Sequence, residues 1–259
     1  MNKKSKEVKK FWDDRASLKE MAGSNDFILK KIEMRAIYDS VADEKDVLEI
    51  GCGSGGTAIH IAKNKKVNIL AVDYSEKMIK AAKKERNLAG DLLGSVEFEV
   101  HDVSKIERIK QDFDIVYTER VLINLGSWDE QKNAIEKIID KVRPGGYYIM
   151  CENSIEGLQR INAYRVSCGL EEIIPPWHNC YFSERDLELI NLKDAKLVRV
   201  DHISSSYYFL SRVVNAWLAK ESGEDPRYDA KLNELGLLLP QLGELGQTKI
   251  WIFQKKSTI

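Results

Sequence analysis

The chain has 259 residues, 43% hydrophobic and 31% charged, which suits one large α/β domain with an elaborated lid better than two independent domains. Lys+Arg 40 against Asp+Glu 41 leaves a formal charge of -1, so no basic excess exists to hold a polyanion and nucleic acid is a poor partner. No run of about 18 apolar residues is present. The opening residues, Met1 to Glu7, lead into charged residues rather than the apolar stretch of a secretory leader. The expectation is therefore a cytoplasmic protein without membrane insertion. Cys52, Cys151, Cys168 and Cys180 are scattered with no C-x-x-C pair, so they are expected to be reduced thiols, with no disulfide framework and no metal site.

In chain order, residues 1–46 read as helical. Ser24 or Asn25 can cap a segment in which Ile28, Ile32 and Ala36 recur at near-helical spacing. Phe11 and Trp12 precede it and suit a staple or part of a lid. From residue 47 short apolar runs alternate with amphipathic stretches. Strands are expected at 47–50, 67–72, 96–100, 113–117 and 147–151, and helices at 57–64, 76–89 and 129–142. Strands alternating with helices imply parallel crossovers and a sheet covered on both faces. Beyond Glu152 the rhythm breaks. A helix at 183–191 and strands at 196–200 and 249–254 are separated by two segments too long for plain connectors, and insertions of that size usually cover a site. The expected division is a helical lid over 1–45, a core over 46–152, and acceptor-side insertions with sheet completion over 153–259.

The most informative stretch is Val47-Leu48-Glu49-Ile50-Gly51-Cys52-Gly53-Ser54-Gly55-Gly56. An apolar strand runs into a glycine-dense turn that opens a helix, so main-chain N–H groups face whatever lies above the strand ends. Gly51, Gly53 and Gly56 also satisfy G-x-G-x-x-G, so the glycines alone leave a dinucleotide possible. Glu49 would repel a pyrophosphate and favour a ligand bearing a cationic amine and a sulfonium. Asp73, ending the second strand before Tyr74, is placed to grip ribose hydroxyls, which both nucleotide classes require.

VLEIGCGSG at 47–55, AVDYSEKMIKAA at 71–82, His101-Asp102-Val103 and VRPGGYYIM at 142–150 together resemble the class I S-adenosylmethionine-dependent methyltransferases. The resemblance covers roughly residues 45–152. It implies a Rossmann-like seven-stranded sheet, mostly parallel, with an antiparallel last strand at 249–254, and S-adenosylmethionine as cofactor. By the same resemblance Glu49 and the loop Gly51, Cys52, Gly53 and Gly55 cradle the methionine part, and Asp73, with Tyr74 beside it, holds the ribose. Asp102 accepts from the adenine amino group while Val103 and Met78 pack on the ring. Asp102 could instead simply cap a helix. Trp12 and Arg15 would close over the cofactor as in methyltransferases of surface-polysaccharide and small-metabolite pathways, although Phe11 and Trp12 could equally only pack their helix down. Arg143-Pro144-Gly145-Gly146 matches a turn of that family and is architectural.

Methyl transfer from a sulfonium is an in-line displacement that needs alignment and sometimes a base. Acceptor residues are expected after strands four and five and on the lids. Glu119, Arg120 and Asn124 follow strand four as a polar set, Glu119 nearest the cofactor, suited to a hydroxylated or anionic acceptor; Arg120 could alternatively pair with Glu119 or Asp129. Glu152 and Asn153 follow strand five. In Pro175-Pro176-Trp177-His178-Asn179, His178 is a natural base for a hydroxyl and Trp177 could wall a sugar, against a purely structural His. Tyr207 and Tyr208, with Arg212, could line a polar pocket, and residues 232–245 read as an apolar cover or a homodimer surface. The expected activity is methyl transfer to a small acceptor, most narrowly O-methylation of a sugar or sugar phosphate in glycan or capsule assembly. The alternatives are an NAD-dependent oxidoreductase and a non-catalytic cofactor-binding protein.

Overall fold

The computed structural model describes residues 3–18 and 25–257. Ser24, one of the two expected helix caps, lies outside the described residues, as does Gly23. The other, Asn25, yields the role to Asp26, whose Oδ1 accepts from the Leu29 N–H at 3.0 Å. Two helices come first, α1 (Lys3–Arg15) and α2 (Phe27–Ser40). The core then alternates β1 (Asp46–Ile50), α3 (Gly56–Asn64), β2 (Asn68–Asp73), α4 (Glu76–Leu88), β3 (Ser95–Val100), β4 (Phe113–Glu119), α5 (Trp128–Asp140) and β5 (Val142–Asn153). After it come α6 (Ile155–Ser167), α7 (Glu184–Glu188), β6 (Ala195–Asp201), α8 (Ser205–Tyr208), α9 (Asn215–Glu221) and β7 (Thr248–Lys255).

The strands form one seven-stranded sheet in the order β3-β2-β1-β4-β5-β7-β6, in which β7 runs antiparallel to both neighbours. This is the Rossmann-like sheet expected. Successive strand residues face opposite layers, and both layers are apolar. Val47, Ile69, Ile115 and Ile149 pack under α2, α3 and α4, while Leu48, Val72, Val116 and Met150 pack under α5. That two-sided burial is why the core strands read as continuous apolar runs. The stripe of α5 is regular, Gln131, Ala134, Ile135, Ile138 and Ile139, and Ser127 caps it by accepting from the Glu130 N–H.

The parallel strand order reverses between β1 and β4, which opens a crevice at the carboxyl ends of these strands, the place where open α/β sheets bind ligands. Helix α6 and the helical elements of the last insertion were not anticipated. Ser154 caps α6 through a 2.8 Å bond from the Gly157 N–H, and the 204–247 insertion holds α8, a π-helical turn Phe209–Val214 and α9. No described helix is long and apolar enough to cross a membrane.

Candidate active site

A single cavity of about 1210 Å³ lies over the crevice, walled by the glycine turn, α1, α2, the ends of β4 and β5, and the two insertions. It exceeds the roughly 300–1,000 Å³ of an ordinary small-ligand pocket, leaving room for a cofactor and an acceptor together.

The glycine turn shows why its residue types are needed. Gly51 has φ +75°, and a Cβ there would stand 2.3 Å from a Val121 methyl; Gly53 has φ +52° with open space where its Cβ would be, so ligand can meet main chain. Gly55 contributes differently from expectation. It does not line the cavity; a Cβ on it would stand 2.6 Å from the Phe98 ring, so it serves packing under α3. Cys52 lines the wall with Glu49 and Asp73.

Asp73 is positioned by the turn it serves. Its Oδ2 accepts from the Gly53 N–H at 3.0 Å and its Oδ1 from the Ser75 N–H at 2.9 Å. A carboxylate has about four acceptor positions, so capacity remains for hydroxyls of a ligand. Glu49 is buried, and its Oε2 has no hydrogen-bond partner among the described residues. Burial pushes its carboxyl up to about 8, and the nearby Glu119 charge adds to the rise. A buried acid in that condition is completed by a cation.

Met78, Asp102 and Val103 line the same end. Asp102 also caps the turn that follows, its Oδ1 accepting from the Ser104 N–H at 2.9 Å, so the structural role weighed for it is real and leaves its side chain on the wall. Overhead, α1 bridges the cavity. On one side the Ser75 hydroxyl donates to Asp13 Oδ1 at 2.5 Å and the Tyr74 hydroxyl to the Val8 carbonyl at 3.4 Å; on the other the Trp12 indole donates to Asn124 Oδ1 at 3.2 Å. Arg15 lines the wall with its guanidinium over Phe11.

The polar set after β4 is organised by long-range partners that local sequence does not reveal. Glu119 accepts from Lys30 Nζ at 2.5 Å and from the Thr57 hydroxyl at 2.8 Å; although burial opposes it, Lys30 and Arg120 hold its carboxyl below the usual range. Of the two partners weighed from sequence, Asp129 makes no ion pair with Arg120 among the described residues and Glu119 acts on it only through its charge; Arg120 instead places Nε 3.1 Å from Oε1 of the buried Glu33. Its φ is +53°, an uncommon conformation for a non-glycine residue and one that concentrates at functional sites. Asn124 lines the cavity with its amide already committed, Nδ2 donating to the Arg120 carbonyl at 2.9 Å and Oδ1 accepting from Trp12.

Of the expected acceptor contacts, Asn153, His178 and Tyr208 line the cavity. Glu152, Trp177 and Tyr207 do not. The Glu152 carboxylate is fully buried and accepts main-chain N–H groups of Val121, Leu122 and Ile123. Tyr207 is buried with its hydroxyl on Asp26. Trp177 is 58% exposed and touches the site through its neighbours, its ring 5.3 Å from His178 and 6.1 Å from Phe11. The Phe11 and His178 rings lie 4.5 Å apart, so α1 and the 174–179 segment meet as one aromatic cluster. Sequence reasoning missed Lys30, Glu33 and Asp26 because all three sit on or beside α2 and meet partners, Glu119, Arg120 and Arg212, that lie far along the chain.

Comparison with known proteins decides between the cofactors that the glycines left open. Residues 47–146 match the family model of a methyltransferase domain. This segment is a methyltransferase domain. The match to a methyltransferase domain favours S-adenosylmethionine over the dinucleotide that the glycines left open. Among relatives of this methyltransferase domain, phosphoethanolamine N-methyltransferase 3 of Arabidopsis thaliana is 33% identical over 107 residues, 41% of this chain and 20% of that protein. The 27-O-demethylrifamycin SV methyltransferase of Amycolatopsis mediterranei is 28% identical over 138 residues, 52% of this chain and 47% of that protein. The chain thus spans about a fifth to a half of the length of these curated relatives. Among solved structures, phosphoethanolamine N-methyltransferase 1 of Haemonchus contortus, bound to phosphoethanolamine and S-adenosylhomocysteine, aligns over 99% of this chain and 50% of that one with TM-score 0.62 and 16% identity. N-methyltransferase NodS of Bradyrhizobium japonicum aligns over 98% and 99% with TM-score 0.60 and 11% identity. At those identities the likeness is one of fold.

The cavity residues fit that cofactor. The buried Glu49 carboxyl, with Oε2 lacking a hydrogen-bond partner among the described residues, suits a ligand carrying an ammonium and a sulfonium, and the open Gly53 suits close main-chain approach. A proton count tests the fit. With Glu49 raised to about 8, the carboxyl of the ligand-free protein is mostly protonated at pH 7, and a cation beside it favours the ionised form. S-adenosylmethionine binding at pH 7 is therefore expected to release close to one proton. Calorimetric titration in buffers of different ionisation enthalpy measures that number, and Glu49→Gln should abolish the release.

Proposed function

We propose that this protein transfers the methyl group of S-adenosylmethionine to a hydroxyl of a small, polar acceptor, most narrowly a sugar or sugar phosphate of the kind used in glycan or capsule assembly. The observation that carries this reading is the continuity of the cavity, which is lined by the glycine turn and Asp73 together with Arg120, Asn153, His178 and Tyr208. When bound, the cofactor supplies a methyl carbon already activated by its cationic sulfur.

The chain's own residues then have three tasks. Asp73 and the glycine turn orient the cofactor. The α1 bridge through Trp12 and the cluster of Phe11, Trp177 and His178 exclude water from above. Arg120, strained and held by Glu33, orients the acceptor, while His178 takes the proton that an attacking hydroxyl loses. A hydroxyl is favoured over an amine because a free amine is already nucleophilic and needs no base on the wall, whereas an alcohol benefits from one.

A panel of sugars and sugar phosphates incubated with methyl-labelled S-adenosylmethionine, with products read by mass spectrometry as methyl ethers, tests the reading. His178→Phe preserves a ring against Phe11 but cannot accept a proton. It is expected to lower kcat by about 10²–10⁴-fold, with S-adenosylhomocysteine affinity unchanged. Full turnover in that variant removes the proposed base.

A further inference from the structure

We infer that the end of the cavity built by α2 and the 204–247 insertion is a phosphate-ester subsite, in which Arg212, with Arg120 on the same wall, holds the phosphate of the methyl acceptor. This rests on the methyl-transfer reading and deepens it by naming the acceptor's charged group.

Around the glycine turn the cavity wall carries the carboxyls of Glu49, Asp73 and Asp102, with Arg15 and Lys105 also on the lining, whereas α2 and the elements facing it contribute Lys30, Lys31, Arg120 and Arg212. The acids associated with those two arginines stand behind them. Asp26 and Glu33 are 2% and 0% exposed and are absent from the wall. Arg212 is thus gripped from the protein side by Asp26, and Arg120 has the Glu33 carboxyl 3.1 Å from its Nε on the side away from the cavity, an arrangement that presents positive charge to a ligand. Of the other acids on the wall, Glu119 is occupied by Lys30 and Thr57 and Glu130 accepts from the Gly126 N–H.

Arg212 is the better built of the two. It sits on the π-helical turn Phe209–Val214, a local irregularity frequent at functional sites. Its side chain is 14% exposed, with Cζ 4.4 Å from the Tyr228 ring centroid and 5.1 Å from that of Tyr208. Nη2 donates to Asp26 Oδ2 at 2.5 Å and Nη1 to the Ser211 hydroxyl at 3.0 Å. A guanidinium has five N–H donors in a planar fork, so these two bonds fix its plane while leaving donors for a ligand. Stacking on tyrosine removes the rotamer freedom that an arginine otherwise loses on binding. A fork held rigid and dry matches phosphate bidentately, and with Arg120 and Lys31 nearby the positive charge suits a group carrying about -1.5 to -2 at neutral pH.

The test uses the full chain saturated with S-adenosylhomocysteine, so that the cofactor end is filled, and titrates inorganic phosphate, glucose 6-phosphate, glucose and acetate at constant ionic strength by calorimetry. Phosphate and glucose 6-phosphate are expected to bind, and glucose and acetate to bind at least about tenfold more weakly. Arg212→Gln should lose at least about tenfold in phosphate affinity with S-adenosylhomocysteine affinity within about twofold. Should Arg212→Gln fail to fold because Asp26 loses its partner, Arg212→Lys keeps the ion pair but not the fork and is expected to show the same loss. Absence of phosphate binding, equal binding of acetate, or undiminished phosphate binding in both variants overturns the subsite. Failure of S-adenosylhomocysteine itself to bind overturns the methyl-transfer reading instead.

Discussion

Asp73→Ala is expected to weaken S-adenosylhomocysteine binding by at least about 100-fold while the protein stays folded. The carboxylate does two things at once. It accepts from the Gly53 and Ser75 N–H groups, at 3.0 and 2.9 Å, which holds the glycine turn against the end of β2, and it offers its remaining acceptor positions to the cavity. A hydrogen bond to a charged group contributes about 1.5–3 kcal/mol, so losing two such bonds to ligand hydroxyls costs about two to four orders of magnitude in affinity. Burial holds this carboxyl above its ordinary value, against the pull of those two N–H groups. Asp73→Asn keeps shape and part of the acceptor capacity and should lose less, about tenfold. Isothermal titration of the three proteins, with thermal melts as a control for folding, reads the series. Affinity in Asp73→Ala within about twofold of the parent would remove Asp73 from the cofactor site.

What the sequence made legible follows from how local each signal is. The core strands were readable because residues such as Val47 and Leu48 bury opposite faces under different helices, which demands an unbroken apolar run. The glycine turn was readable because Gly51 and Gly53 need positive φ, a requirement written in the residue type itself. Helix α6 was not readable. Its buried stripe runs through Gly157 and Asn162 as well as Leu158 and Ile161, so its apolar period is broken, and only the Ser154 cap marked it. The acceptor end was the least legible part. Arg120 could be nominated from its place after β4, but its partner Glu33 is 87 positions earlier in number and belongs to a helix whose inward polar residue looks like a surface one. Likewise Arg212 and Tyr207 meet at Asp26, a contact between the N-terminal helices and the last insertion. Charge pairs of this kind obey no period, since tertiary approach alone creates them.

Glu152 is the residue whose role changed most between sequence and structure, and its removal is expected to have the largest effect on stability. From its place at the end of β5 it was expected to touch the acceptor. Instead, Oε1 accepts from the Val121 and Leu122 N–H groups at 3.0 and 2.9 Å and Oε2 from that of Ile123 at 3.3 Å. These are the groups left unpaired at the start of the 3₁₀ turn Leu122–Asn124, so Glu152 caps from a neighbouring strand a turn that has no capping side chain of its own. Burial pushes its carboxyl up to about 7 despite those three donors. Because the folded-state value is raised, the contribution of its protonated form to stability is fully present below the unfolded value of 4.5 and is lost as pH rises through about 7. Glu152→Ala strands three buried N–H groups at about 1–3 kcal/mol each. Part of this is offset by no longer burying a carboxyl, which leaves a net loss of about 3 kcal/mol. Glu152→Gln keeps one acceptor oxygen and should lose about half as much. Urea unfolding measures both, and the loss in Glu152→Gln relative to the parent should shrink between pH 6 and 8, as the parent itself surrenders the benefit. The same turn carries Arg120 before it and Asn124 within it, so Glu152→Ala should also disturb the Trp12 bridge and weaken acceptor turnover. An acceptor contact would behave in the opposite way, with the midpoint of unfolding unmoved and only KM raised.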